Sequence, residues 1–230
     1  VSEEVSLTTQ VMGRRVRIAV LIGKGGRLPA IWDATQHPTS LAKVAVVVSF
    51  KSKSPGIEWA KRHHLPAFSL RWSEYKDEGK ERAEYDQDLA KLLIEHRVEL
   101  VVIAGWGLLL SPEFLEEFPK RVINVHPALL TESLEPTVHT HSGTVIPVFR
   151  GNQAIEMALA TGVDTTGCTV HYVTDEMDTG LIILKREVSL RHGDDLETLT
   201  ERIHEAEDEI LPQAIELICE DYLRQVGAFE

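Results

Sequence analysis

The stretch Arg17-Ile18-Ala19-Val20-Leu21-Ile22 runs directly into Gly23-Lys24-Gly25-Gly26-Arg27. Its unbroken apolar run, with no polar residue alternating, describes a strand buried on both faces, as in a parallel sheet covered by helices. The glycines then open into residues 28–32, whose apolar spacing suits a helix, so strand, glycine loop and helix start follow one another. The same alternation recurs outward from there. Residues 43–49, 67–70, 100–104 and 122–125 read as further strands, and residues 169–173 and 181–188 as two more. Helices are expected from Pro55, with Ser54 as its cap, and over 85–96, where Leu89, Leu92 and Leu93 share a face. Others are expected from Ser111-Pro112 and over 152–161, ending at Gly162. A long carboxy-terminal helix is expected from Asp194, interrupted near Pro212. The predicted fold class is α/β: a doubly wound, mostly parallel sheet with helices on both faces.

Composition narrows the function classes. At 230 residues, with 43% hydrophobic and 26% charged, the chain has the make-up of a globular protein with a substantial core. Residues 1–15 are expected to be a loose leader and 16–230 a single domain. The formal net charge of −12 opposes the counterion-releasing basic face that nucleic-acid binding needs, so no nucleic-acid partner is expected. Two cysteines, Cys168 and Cys219, make neither a disulfide framework nor a metal knuckle. No apolar run approaches the roughly 20 residues of a bilayer span, and the acidic amino terminus lacks a signal core. A cytoplasmic protein with no membrane partner, acting on small molecules as a monomer or homodimer, is therefore expected.

Chemistry concentrates in two places. Val122-Ile123-Asn124-Val125-His126-Pro127 ends a buried strand, and the two-residue spacing points Asn124 and His126 to one face. The carboxyl ends of parallel strands are where open α/β sheets place their sites. Asp175-Glu176-Met177-Asp178-Thr179-Gly180 puts three carboxylates in a turn between strands. An amide donor, an imidazole and a carboxylate are the parts needed to stabilise a developing oxyanion and move a proton. No serine nucleophile elbow is present, which favours direct attack by a substrate amine over an acyl-enzyme route.

These segments resemble the glycinamide ribonucleotide formyltransferases, a family of folate-dependent formyltransferases. The likeness rests on residues 17–22, Ser54-Pro55-Gly56-Ile57-Glu58-Trp59-Ala60-Lys61, Leu110-Ser111-Pro112-Glu113-Phe114, residues 121–127, Gly167-Cys168-Thr169-Val170-His171-Tyr172-Val173 and residues 175–180, and it continues through Leu211-Pro212. The resemblance implies formyl transfer from 10-formyltetrahydrofolate to an amine, with Asn124, His126 and Asp178 catalytic and no metal. Asn124 and a protonated His126 would hold the oxyanion, while Asp178 keeps His126 charged and relays the amine proton. It further implies a folate site formed by Trp106, Gly107, Leu108, Leu109 and Leu110 on one side and Val173, Thr174 and Asp175 on the other. Arg82 would lie at the folate tail and Glu207 at the acceptor's ribose.

Three departures bear on the acceptor and the surroundings of the site. The family's phosphate loop reads Gly-x-Gly-Ser-Asn, whereas this chain has Gly23-Lys24-Gly25-Gly26-Arg27, one residue shorter. Amides of Gly25 and Gly26 at a helix start still suit an anion, with Lys24 or Arg27 supplying charge. Leu108 stands where an arginine is common. An extra polar segment, residues 131–146, separates Leu129-Leu130 from Pro147-Val148-Phe149-Arg150-Gly151 and is expected to form a loop or hairpin insertion beside the site. The leading expectation is glycinamide ribonucleotide formylation in purine biosynthesis. The alternatives are another amine acceptor such as an amino sugar nucleotide, formyltetrahydrofolate hydrolysis, or a non-catalytic folate or phosphate-ligand binding module.

Overall fold

The computed structural model describes residues 13–228. Strand β1 (Val16–Ile22) lies mid-sheet, joined in chain order by β2 (Ala42–Ser49), β3 (Ala67–Ser69), β4 (Leu100–Ala104) and β5 (Val122–His126), all parallel. A separate antiparallel hairpin follows, β6 (Thr137–His139) with β7 (Val145–Pro147). The main sheet is then completed by β8 (Thr165–Tyr172) and β9 (Ile182–Ser189), which add antiparallel and give the order β3-β2-β1-β4-β5-β8-β9.

The unbroken apolar run of β1 is explained by two cores. Ile18, Val20 and Ile22 face one side, against α1 (Leu28–Gln36) and the long carboxy-terminal helix. Ala19 and Leu21 face the other, against Tyr85, Leu89 and Leu93 of the helix Arg82–Glu95 and Phe114 and Phe118 farther along. Between these helices the chain forms α2 (Pro55–Arg62) and α3 (Trp72–Asp77), so Arg82–Glu95 is α4. The remaining helices are α5 (Pro112–Glu117), α6 (Ala154–Thr161) and α7 (Leu196–Gln225). The chain winds outward from β1 to β3, then returns to β4 and winds the opposite way. The loops after β1 and β4 therefore diverge, and the crevice between them is the switch point where open sheets bind ligands.

Several local expectations are corrected. Helix α7 continues through Pro212 without interruption. Pro212 removes one ladder bond, at a cost of about 3 kcal/mol. Its neighbours Ile210, Leu211 and Ile215 are buried against the sheet, each contributing about 1.5–3 kcal/mol, so packing outweighs the defect. Ser54 starts α2 but does not cap it, since its hydroxyl donates to the Gly23 carbonyl at 2.8 Å and fastens α2 to the glycine loop. Ser111 does cap α5, accepting from the Phe114 amide at 3.3 Å. Helix α3 was not expected: it buries no residue of its own and carries no apolar period, and Trp72 and Tyr75 pack edge-on to the Tyr85 ring. Most of the leader expected over residues 1–15 lies outside the described residues. Within it, Arg14 pairs with Glu99 at 2.8 Å and Arg15 donates to the Ser40 carbonyl. Cys168 and Cys219 are buried free thiols, pushed up in pKa by burial.

Candidate active site

A cavity of about 600 Å³ opens at the carboxyl ends of β1, β4 and β5. Its walls bring together the glycine loop (Lys24, Gly25, Gly26, Arg27), the β4 loop (Trp106, Gly107, Leu108, Leu109, Leu110), the strand pair Asn124 and His126, and the turn containing Val173, Thr174, Asp175 and Asp178, with Glu207 from α7. Arg82 lies outside these walls. Its guanidinium grips Asp86 one helical turn on, at 3.0 and 2.8 Å, and lies over the Tyr85 and Trp72 rings. The same Asp86 accepts from the Ser111 amide at 2.8 Å, so this ion pair anchors the end of the β4 loop.

His126 is buried between two acceptors. Its Nε2 lies 2.8 Å from the Phe149 carbonyl, and its Nδ1 lies 3.3 Å from Asp178 Oδ1. Since a carbonyl only accepts, Nε2 carries a hydrogen. The next proton of the site then belongs between Nδ1 and Oδ1. Burial pushes the imidazole below its ordinary pKa, opposed by Asp178 and by the Phe149 carbonyl. The expectation that Asp178 keeps His126 charged thus meets two opposed effects at this contact, burial disfavouring the imidazolium and the carboxylate favouring it. Asp178 itself sits at φ 53°, in the left-handed region, and its Oδ2 accepts from the Gly151 amide at 2.6 Å.

Asn124 has a partner that the sequence reading did not single out. Antiparallel pairing of β5 with β8 sets Asn124 directly opposite His171. His171 Nδ1 donates to the Thr179 carbonyl at 2.8 Å, which leaves Nε2 to accept from Asn124 Nδ2 at 3.2 Å. Burial lowers the His171 pKa, in keeping with this neutral tautomer. One amide hydrogen of Asn124 is thus fixed and the other is free to act. Replacing His171 by Leu should lower kcat roughly 10- to 100-fold, by releasing that orientation, while substrate KM values change little. An unchanged kcat would show that Asn124 needs no such partner. His171 falls within residues 167–173, and only the β5–β8 register sets it opposite Asn124.

The acceptor end differs most from expectation. Arg27 and Glu207 both line the cavity, but as each other's partners, with Arg27 Nη1 3.0 Å from Glu207 Oε2. Arg27 Nε also lies 2.7 Å from Asp208 Oδ1, an ion contact without hydrogen-bond alignment. Arg27 is therefore already engaged by two carboxyl groups, and Lys24 and Lys51 are the other cations on the walls. His204, one turn before Glu207, is pushed down to about 4 by burial and by Arg27, so it is neutral near pH 7. Gly25 sits at φ 88°, and a Cβ there would lie 2.6 Å from Gly56 Cα. Close loop-to-helix packing therefore requires glycine at this position, whereas Gly26 faces open space.

Glu207 supplies a pH prediction. Burial raises its pKa to about 7, with Arg27 opposing. Because the folded-state value exceeds the ordinary 4.5, the folded protein holds this proton more tightly, and stability from this group falls as pH rises from about 4.5 to about 7. Denaturant midpoints measured across that window should decline less in Glu207→Gln than in the parent. Parallel curves would refute the buried, proton-retaining carboxylate.

The fold and the polar groups at its strand ends define an α/β protein with its site at the topological switch point. The sequence profile described as formyl transferase matches residues 16–215. Phosphoribosylglycinamide formyltransferase of Bacillus subtilis is 32% identical over 193 residues, covering 84% of this chain and 89% of that protein. The human trifunctional purine biosynthetic protein adenosine-3 is 36% identical over 207 residues, covering 90% of this chain and 18% of that protein. The chain thus spans about a fifth of the length of that curated relative. The crystal structure of glycinamide ribonucleotide transformylase 1 from Symbiobacterium toebii superposes with a TM-score of 0.79 at 36% identity, covering 91% of this chain and 90% of that one. This chain belongs to the formyl transferase family. Among the described residues no helix is long and apolar enough to cross a membrane, and no group of three or more His, Cys, Asp or Glu is placed to hold a metal.

Proposed function

We propose that this chain transfers a formyl group from 10-formyltetrahydrofolate to the amine of glycinamide ribonucleotide, as in purine biosynthesis. The observation that carries the reading is the His126–Asp178 contact beside Asn124 in one cavity, in a chain 32% identical to a phosphoribosylglycinamide formyltransferase over most of both lengths. The cavity's volume and the apolar wall from Trp106 to Leu110 suit a flat heterocycle, and the turn from Val173 to Asp175 also lines the cavity. The donor brings an electrophilic formyl carbon bonded to nitrogen.

The free amide hydrogen of Asn124 holds the negative charge that develops on the formyl oxygen as the amine attacks. The His126–Asp178 pair moves the proton. Its shared proton goes to the departing donor nitrogen, and the proton of the attacking amine replaces it, so each turnover returns the pair to its starting state. Lys24 and the Gly26 end of the glycine loop supply the anion subsite for the acceptor's phosphate, with Arg27 held in place by Glu207 and Asp208. In this reading Arg82 lies toward the folate tail and, through Asp86, supports the 106–110 loop.

One observation favours a second reading. The Arg27 guanidinium is already engaged by two carboxyl groups of the chain, which suits an acceptor without a phosphate, or water, better than a ribonucleotide. The test is donor consumption with and without glycinamide ribonucleotide. Turnover that requires this acceptor supports the proposal. Acceptor-independent turnover, turnover only with another amine, or donor binding without turnover would each overturn it.

A further inference from the structure

Phe149-Arg150-Gly151 holds both members of the reacting pair. The Phe149 carbonyl takes the His126 Nε2 hydrogen, and the Gly151 amide donates to Asp178 Oδ2. Between them, Arg150 spreads its guanidinium over four oxygens. Nε reaches the Asp178 carbonyl at 3.3 Å, Nη1 the Glu135 carbonyl at 3.2 Å, and Nη2 both Thr131 Oγ1 at 3.0 Å and the Ser133 carbonyl at 2.6 Å. All four acceptors are neutral. Among the described residues no carboxylate forms an ion pair with this half-buried arginine, so its bonds gain geometry more than charge pairing.

We propose that Arg150 is a positioning residue for the transfer reaction, clamping the polar segment 131–135 onto the Asp178 turn so that the carboxylate meets His126. This rests on the assignment of His126 and Asp178 as the reacting pair. Two further facts support it. Asp178 occupies the left-handed region, which a non-glycine residue keeps only when its surroundings hold it there, and Arg150 Nε bonds the carbonyl of that same residue. Segment 131–135 also reaches the far side of the turn, where the Glu132 carbonyl accepts from the Gly180 amide at 3.1 Å. Removing the guanidinium frees the Asp178 carbonyl and three acceptors of the segment together. The turn then relaxes, and Oδ1 leaves Nδ1.

The test compares Arg150→Ala, Arg150→Lys, Asp178→Asn and the Ala/Asn double variant in formyl transfer, with amide exchange followed at Gly151 and Gly180. Arg150→Ala should lower kcat by roughly tenfold or more while donor and acceptor KM values stay within about threefold. Arg150→Lys, which keeps the charge but not the fork, should be intermediate. In the Asp178→Asn background the Arg150 change should add almost nothing, because both act through one group. Exchange at Gly151 and Gly180 should quicken without a matching change in β1. Should Arg150→Ala not fold, Arg150→Lys is judged by the same split between kcat and KM. Parental kcat in the folded variants, multiplicative losses in the double variant, or a rise in KM alone would overturn the positioning role. Parental activity in Asp178→Asn would instead refute the underlying assignment of the pair.

Discussion

Asp178→Asn should lower kcat for formyl transfer by about a hundredfold or more, a loss of at least about 2.7 kcal/mol of transition-state stabilisation. The substitution nearly preserves shape. An asparagine can still accept from the Gly151 amide, but it then turns its NH₂ toward His126 Nδ1, where it can only donate. The shared proton position disappears, and with it the route from the attacking amine to the departing nitrogen. His126→Ala removes the other half of the same unit and should cost a comparable factor, and the double variant should be scarcely worse than either single one. Donor affinity, measured by calorimetry, should survive in all three, since the apolar wall from Trp106 to Leu110 is untouched. Near-parental kcat in either single variant would mean that the reacting groups lie elsewhere.

Gly180→Val should be comparably damaging by a different route. Gly180 sits at φ 105°, and a Cβ there would lie 2.2 Å from the Tyr172 carbonyl oxygen and 3.0 Å from Thr174 Cγ2. The first obstacle is backbone, at the end of a core strand whose Tyr172 amide already bonds the Leu181 carbonyl. The turn must therefore move, carrying Asp178 two residues away. Activity should fall as far as in Asp178→Asn, together with roughly 1–3 kcal/mol of stability. Gly26→Ala is the matching control, because its Cβ would meet open space and its φ is not in the left-handed region, so its stability should be parental. A fully active Gly180→Val would show that the turn does not fix Asp178.

What the sequence made legible follows from how each feature is encoded. Strands β1, β2 and β4 are buried on both faces and so appear as unbroken apolar runs. Asn124 and His126 could be placed on one face because strand geometry alone dictates it. Helix α3 was hidden because its aromatic contacts lie with Tyr85, outside its own short span. The Arg82–Asp86 pair is readable from its four-residue spacing. Other partnerships carry no local signal. Arg27 and Glu207 are 180 residues apart, and only the docking of α7 beside α1 brings them together. His171 likewise acquires its part from the β5–β8 register, and Arg150 from the path of the segment between β5 and the 137–147 hairpin.

The most direct test of the central claim, that Asn124 and the His126–Asp178 pair carry formyl transfer in the switch-point cavity, is a crystal structure with glycinamide ribonucleotide and a non-transferring analogue of 10-formyltetrahydrofolate. The expected result places the donor's heterocycle between the 106–110 loop and the 173–175 turn. Its reacting nitrogen should lie beside Asn124 and Asp178, with the ribonucleotide phosphate at Lys24 and Gly26. A donor bound with its reacting nitrogen away from Asn124 and the His126–Asp178 pair would contradict it.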